Sequence, residues 1–128
     1  MSPRLAWYSW YTGDWLAQTR GWSVTARGVA RELLDAQWDR GCLPVDPEEL
    51  RRLIGATRRE WELAWSVVEP LFPVGAEGRQ NLRLEVEREK ATAFVATRKR
   101  ASQAGHAARW GNRGPKVVRM RRDGGDDA

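Results

Sequence analysis

Arg58 and Arg59 are the residues whose type and placement first suggest chemistry. They open the segment TRREWELAWSVV, in which Thr57 followed by Glu60 is the capping-box pattern of a helix start. Two guanidinium groups in a first helical turn oppose the macrodipole, so they cost stability unless an anion lies close by. A DNA phosphate is such an anion, and in helix-turn-helix proteins the first residues of the second helix reach the backbone and base edges. Glu62, one turn on, shares the outward face with Ser66. The same residues on a helical hairpin of any small α domain would simply be solvated.

A second basic feature lies downstream. Residues 1–90 hold 13 Lys/Arg against 14 Asp/Glu, residues 91–122 hold 9 against none, and residues 123–128 hold 3 acids, so the net +5 conceals a strong asymmetry. The nine are Arg98, Lys99, Arg100, Arg109, Arg113, Lys116, Arg119, Arg121 and Arg122. A solvated helix face normally mixes signs, so an acid-free run of this length points to a polyanionic partner. Trp110, set among these bases, has the means to stack on an unpaired base, or equally to dock on the domain.

Catalytic chemistry finds no footing. There is no Ser/His/Asp or Cys/His set, no glycine loop to cradle phosphate, and no paired carboxylates with a lysine for a metal-dependent nuclease. The chain reads as a non-enzyme with no cofactor and no metal. One histidine, His106, lies among positive charges that argue against a ligand role, and one cysteine, Cys42, rules out an internal disulfide and reads as a small buried residue. No apolar run approaches the roughly 18 residues of a membrane span, and MSPRLAWYSWYTGDW lacks the core of a signal peptide. The expected setting is the cytoplasm.

The elements that must position the arginines are written mostly in caps. Asp46 and Glu49 form a capping pattern around Pro47, Val45 is placed to staple onto Leu50, and Leu50, Leu53 and Ile54 make an apolar stripe ended by Gly55. Two residues later comes the helix that starts at Thr57, with Trp61, Ala64, Trp65 and Val68 on one face. Upstream, WSVTARGVARELLDAQWDRG predicts a helix over Val24–Asp39, capped by Ser23, closed by Gly41 and burying Ala26, Ala30, Leu33, Leu34 and Trp38. Seven of the eight tryptophans precede residue 70, which predicts an aromatic-rich core. Near the N-terminus an extended piece at Leu5–Trp10 and a single turn capped by Asp14 are expected, and Cys42–Val45 is read as a connection.

After Pro70, LFPV, GAEG and RQNLRL predict a strand, a turn and a second strand with Leu82 and Leu84 alternating inward. A hairpin directly after the second helix makes a winged helix, with Arg79 and Arg83 on the wing. A last helix from Glu85 is expected to set Ala91, Phe94 and Val95 against the core. Beyond Thr97 the apolar residues shrink to alanine, Gly105 and Gly111 weaken the helix, and the segment is expected to fray without a partner. The expected fold is mainly α with a small β-hairpin, a winged helix-turn-helix over residues 1–97 followed by a long basic C-terminal helix or arm over 98–128.

WYTGDWLAQT, DAQWDRGCLPVDPEEL, TRREWE and KRASQAGHAARW, in that order, resemble the YdaU-type family of prophage proteins, a domain of unknown function. The resemblance runs from about Trp7 to Trp110 and implies a winged-helix-like domain of phage replication regions, with helicases and helicase loaders as neighbours. Two departures stand out: the helix capped by Ser23 lacks an acidic third residue, and the further C-terminal region of longer members does not follow the basic segment. The first functional expectation is a DNA-binding module of replication initiation or its regulation. The second is an interaction module that engages a replicative helicase or loader, with the basic tail alone touching nucleic acid.

Overall fold

The structure, a computed structural model, describes residues 5–111. It is mostly helical with one small antiparallel hairpin: α1 (Thr12–Gln18), α2 (Val24–Arg40), α3 (Pro47–Ile54), α4 (Arg58–Val68), β1 (Val74–Gly75), β2 (Gly78–Arg79) and α5 (Leu82–His106). The chain divides into two compact units between Thr92 and Ala93.

In the first unit α2 packs mainly on α4, with α3 beside it. Ser23 Oγ accepts from the Ala26 amide at 3.0 Å, and Gly41, at φ 92°, closes the helix in a conformation that favours glycine. Ala26, Ala30, Leu33, Leu34 and Trp38 are buried as their spacing predicts, joined by Val29. Gln37 is also fully buried, and it is satisfied at both ends: its amide oxygen accepts from the Asn81 backbone at 2.7 Å and its nitrogen donates to Glu85 at 2.7 Å. Trp61, Ala64 and Val68 complete the core from α4, while Trp65 is half-buried and stacks on Trp61 with ring centroids 4.7 Å apart.

The N-terminal tryptophans lie as a run of rings along α2 rather than inside the core. Tyr8 packs on Trp38 and Trp10, Trp10 on Trp15, and Trp15 on Trp22, with Arg31 lying over the Trp10 ring at 3.8 Å. Trp38 Nε1 donates to the Leu5 carbonyl at 2.9 Å, which fastens the extended entry. Burial, then the hydrogen bond to Asp35, push the Tyr8 hydroxyl above its ordinary range. Asp14 does not cap α1. The N-cap is Tyr11, without a side-chain bond, and Asp14 lies within the first turn.

Several expectations around the hairpin are corrected. The strand expected at LFPV is confined to Val74–Gly75, since Leu71 closes a 3-10 turn over Glu69–Leu71 and Phe72 is fully buried. Leu82 and Leu84 belong to α5, because Asn81 Oδ1 accepts from the Leu84 amide at 2.9 Å and starts a helix there; Leu84 is buried and Leu82 exposed. The hairpin is thus reduced to Val74↔Arg79 and Gly75↔Gly78. It gains a third member at Leu43, whose amide donates to the Arg79 carbonyl at 2.9 Å and whose carbonyl accepts from the Arg79 amide at 2.8 Å. Cys42–Val45 is therefore more than a connection. From α2 onward the order is helix, bridge, helix, turn, helix, hairpin and helix.

Three smaller readings also change. Asp46 is the N-cap residue of α3 but makes no side-chain cap bond, Leu53 and Val45 are exposed, and Phe94 and Val95 are exposed whereas Ala91 is half-buried. Cys42 is half-buried, its thiol donating to the Glu77 carbonyl at 2.7 Å.

Candidate nucleic-acid interface

The start of α4 is held by short-range bonds. Thr57 Oγ1 accepts from the Glu60 amide at 3.1 Å while Glu60 accepts from the Thr57 amide at 2.8 Å, the reciprocal box that the sequence predicts. The turn before it is closed by Gly55 at φ 74°, whose left-handed conformation ends α3. Arg51 locks the corner, donating to the Ala56 carbonyl at 2.8 Å and to both oxygens of Glu48 at 3.1 and 2.6 Å. Arg52 reaches the same carboxylate at 3.3 Å. The hydrogen bond from Arg51, then the charges of Arg51, Arg58 and Arg52, hold the Glu48 carboxyl down at about 2. The same hydrogen bond raises Arg51.

Arg58 and Arg59 lie exposed at this fixed corner, with no carboxylate within 4.0 Å among the described residues. Glu62 is exposed one turn further along. The outer face of α4 also carries two apolar side chains, Leu63 at 56% exposure and Val67 at 41%. Sequence reasoning left both unassigned, although their i, i+4 spacing opposite the Trp61 face was the available signal.

The two wing arginines are placed differently from the expectation. Arg79 is on β2, yet it is buried at 7% exposure: its guanidinium donates to the carbonyls of Val45 at 2.7 Å and Phe72 at 3.1 Å, and to Glu69 at 3.4 Å. Its backbone pairing with Leu43 turns the side chain under the hairpin, where it braces three segments. Arg83 is off the wing, in the first turn of α5, paired with Asp14 at 2.5 Å; that bond raises its pKa. Asp14 therefore serves as the partner of Arg83.

In the second unit the chain is helical to His106 and continues as a π-helical turn over Ala107–Gly111. Alanine, the best helix former, offsets Gly105 there. Arg98, Lys99, Arg100, Arg109 and Trp110 are all exposed. Arg98 lies over the Phe94 ring at 5.8 Å, Arg100 reaches Thr97 Oγ1 at 3.4 Å, and the rings of His106 and Trp110 are 6.3 Å apart. None of these four cations has a carboxylate partner among the described residues. Arg113, Lys116, Arg119, Arg121 and Arg122 lie outside the described residues.

Among the described residues no group of His, Cys, Asp and Glu is arranged to hold a metal, and no helix is long and apolar enough to cross a membrane. A mostly helical domain with a capped, solvent-facing helix start and a short hairpin is the class that the fold defines. By its match over residues 6–89, the chain belongs to the family described as a protein of unknown function, DUF1376. No curated protein and no solved structure matches it.

Proposed function

We propose that the chain is a DNA-binding winged-helix module of a phage or prophage, acting in replication initiation or its regulation in the cytoplasm of a bacterial host. The observation that carries this reading is the exposed pair Arg58 and Arg59 on a capped helix start, neither of them in an ion pair among the described residues. A capping box fixes the helix, and the turn behind it is locked by Arg51, so the pair meets a ligand with little ordering cost. Arg98, Lys99, Arg100 and Arg109 add sequence-independent attraction for phosphate. Arg79 has no part in this reading, because its guanidinium is committed inside the fold. The phage setting rests on the resemblance of WYTGDWLAQT, DAQWDRGCLPVDPEEL, TRREWE and KRASQAGHAARW to the YdaU-type family.

One observation favours a second reading. Leu63 and Val67 present an apolar stripe on the helix that would otherwise enter a groove, as on a surface that packs against a protein such as a replicative helicase or its loader.

Selection of bound sites from random duplexes, followed by comparison of wild type with Arg58→Ala/Arg59→Ala at fixed salt, separates the two. The first reading expects the double variant to fold and to lose sequence preference of about 1–3 kcal/mol per bidentate contact, with a much smaller loss on random DNA. A wild type with no preference transfers the role to the protein-partner reading.

A further inference from the structure

Between Ala93 and Trp110 the chain is helical and exposed on nearly every face, so this segment has no core-facing side to explain its composition. Its residues are nonetheless sorted. At the roughly 100° per residue of an α-helix, Arg98, Ser102 and His106 form one stripe, flanked by Lys99 and Gln103. Arg109 belongs to the same side, its guanidinium lying back toward Gly105, 3.9 Å from where a β-carbon would stand. The opposite side is Ala101, Ala104 and Ala108, with Arg100 beside Ala104. There is no acid anywhere from Lys90 to Gly111.

We infer that this helix reads base edges in the major groove of duplex DNA, an inference that rests on the DNA-binding reading above. Arg98, Lys99 and Arg109 would be enough to hold phosphate, but they do not account for Ser102, Gln103 and His106 on the same side. Those three carry the donors and acceptors that pair with base edges: Gln matches adenine, Ser suits several bases, and the His imidazole both donates and accepts. The deep, narrow major groove of A-form RNA does not admit such a helix, which makes B-form duplex the expected ligand.

The test uses the full chain and its triple variant Ser102→Ala/Gln103→Ala/His106→Ala, which removes no Lys or Arg and introduces the best helix former at each position. Both are measured on the best duplex selected by the wild type, on a scrambled duplex and on double-stranded RNA, at one salt concentration, with helicity checked by circular dichroism. The expected result is a drop in preference for the selected duplex of about tenfold or more, with affinity for the scrambled duplex within about twofold of wild type. Unchanged preference in the triple variant overturns the inference, as do equal losses on both duplexes and tighter binding to RNA than to DNA. If Arg58→Ala/Arg59→Ala abolishes preference and the triple variant does not, base reading belongs to α4 and the DNA-binding reading survives. If the full chain binds no duplex, both fall together.

Discussion

Glu48 and Arg79 show how differently two ion-paired residues on one small fold behave. The Glu48 carboxyl is held at about 2 from an ordinary 4.5, so its pairing with Arg51 and Arg52 favours the folded state above pH 4.5 and that contribution is lost as the pH falls from there through 2. The stability difference between wild type and Glu48→Gln, followed by denaturant unfolding, should therefore be constant near neutrality and shrink across that window. A difference independent of pH would show that the carboxylate is not stabilising the corner before α4. Arg79 acts mainly through the carbonyls it satisfies. Replacing it with methionine keeps the bulk but leaves the buried Phe72 carbonyl and the Val45 carbonyl without their donor, which should cost about 2–4 kcal/mol. A midpoint equal to wild type would mean that water replaces the guanidinium.

At the scale of elements, the hairpin depends on one close approach. Gly78 stands at φ 133°, and a β-carbon there would collide with the Leu43 carbonyl oxygen and come within 2.7 Å of Cys42 Sγ. Gly78→Ala should cost about 1–3 kcal/mol from backbone strain alone, with separation of Leu43 from Arg79 adding to it. Wild-type stability in that variant would place the bridge outside the cooperative fold. On α4, Trp61→Ala should cost about 3–5 kcal/mol, and Trp65→Ala less, since Trp65 is only half-buried. These two costs also mark what the sequence made legible. Ser23, Thr57, Glu60 and Gly55 are local signals, and the helices they bound were readable because a cap acts within three residues. Asn81 carried a signal of the same kind, but Leu82 and Leu84 also alternate, and a period of two over so short a stretch cannot be told from a helix start. The burial of Arg79 was not legible at all, since its carbonyl partner at Val45 lies far away along the chain and no local pattern announces it. The positions of Arg58 and Arg59 were readable from the cap, whereas the pairing of Arg83 with Asp14 required the packing of α1 near α5.

For the whole molecule, charge is divided along the chain: residues 1–90 carry mixed signs, with seven ion pairs among the described residues, whereas residues 91–122 carry nine cations and no acid before three acids close the sequence. That division is the central reason for assigning a polyanionic partner, and its energetic signature is counterion release. Affinity for a duplex of random sequence should fall linearly on a log–log plot against salt, each neutralised phosphate adding about −0.9 to the slope. The most direct test is therefore a salt titration of duplex binding by the full chain and by a version ending at Thr97. The expected result is measurable binding by the full chain with a steep negative slope, and weaker binding with a shallower slope in the shortened one. Absence of duplex binding at low salt would contradict the account, and retention of both affinity and slope after removal of the basic segment would contradict the place it gives to those cations.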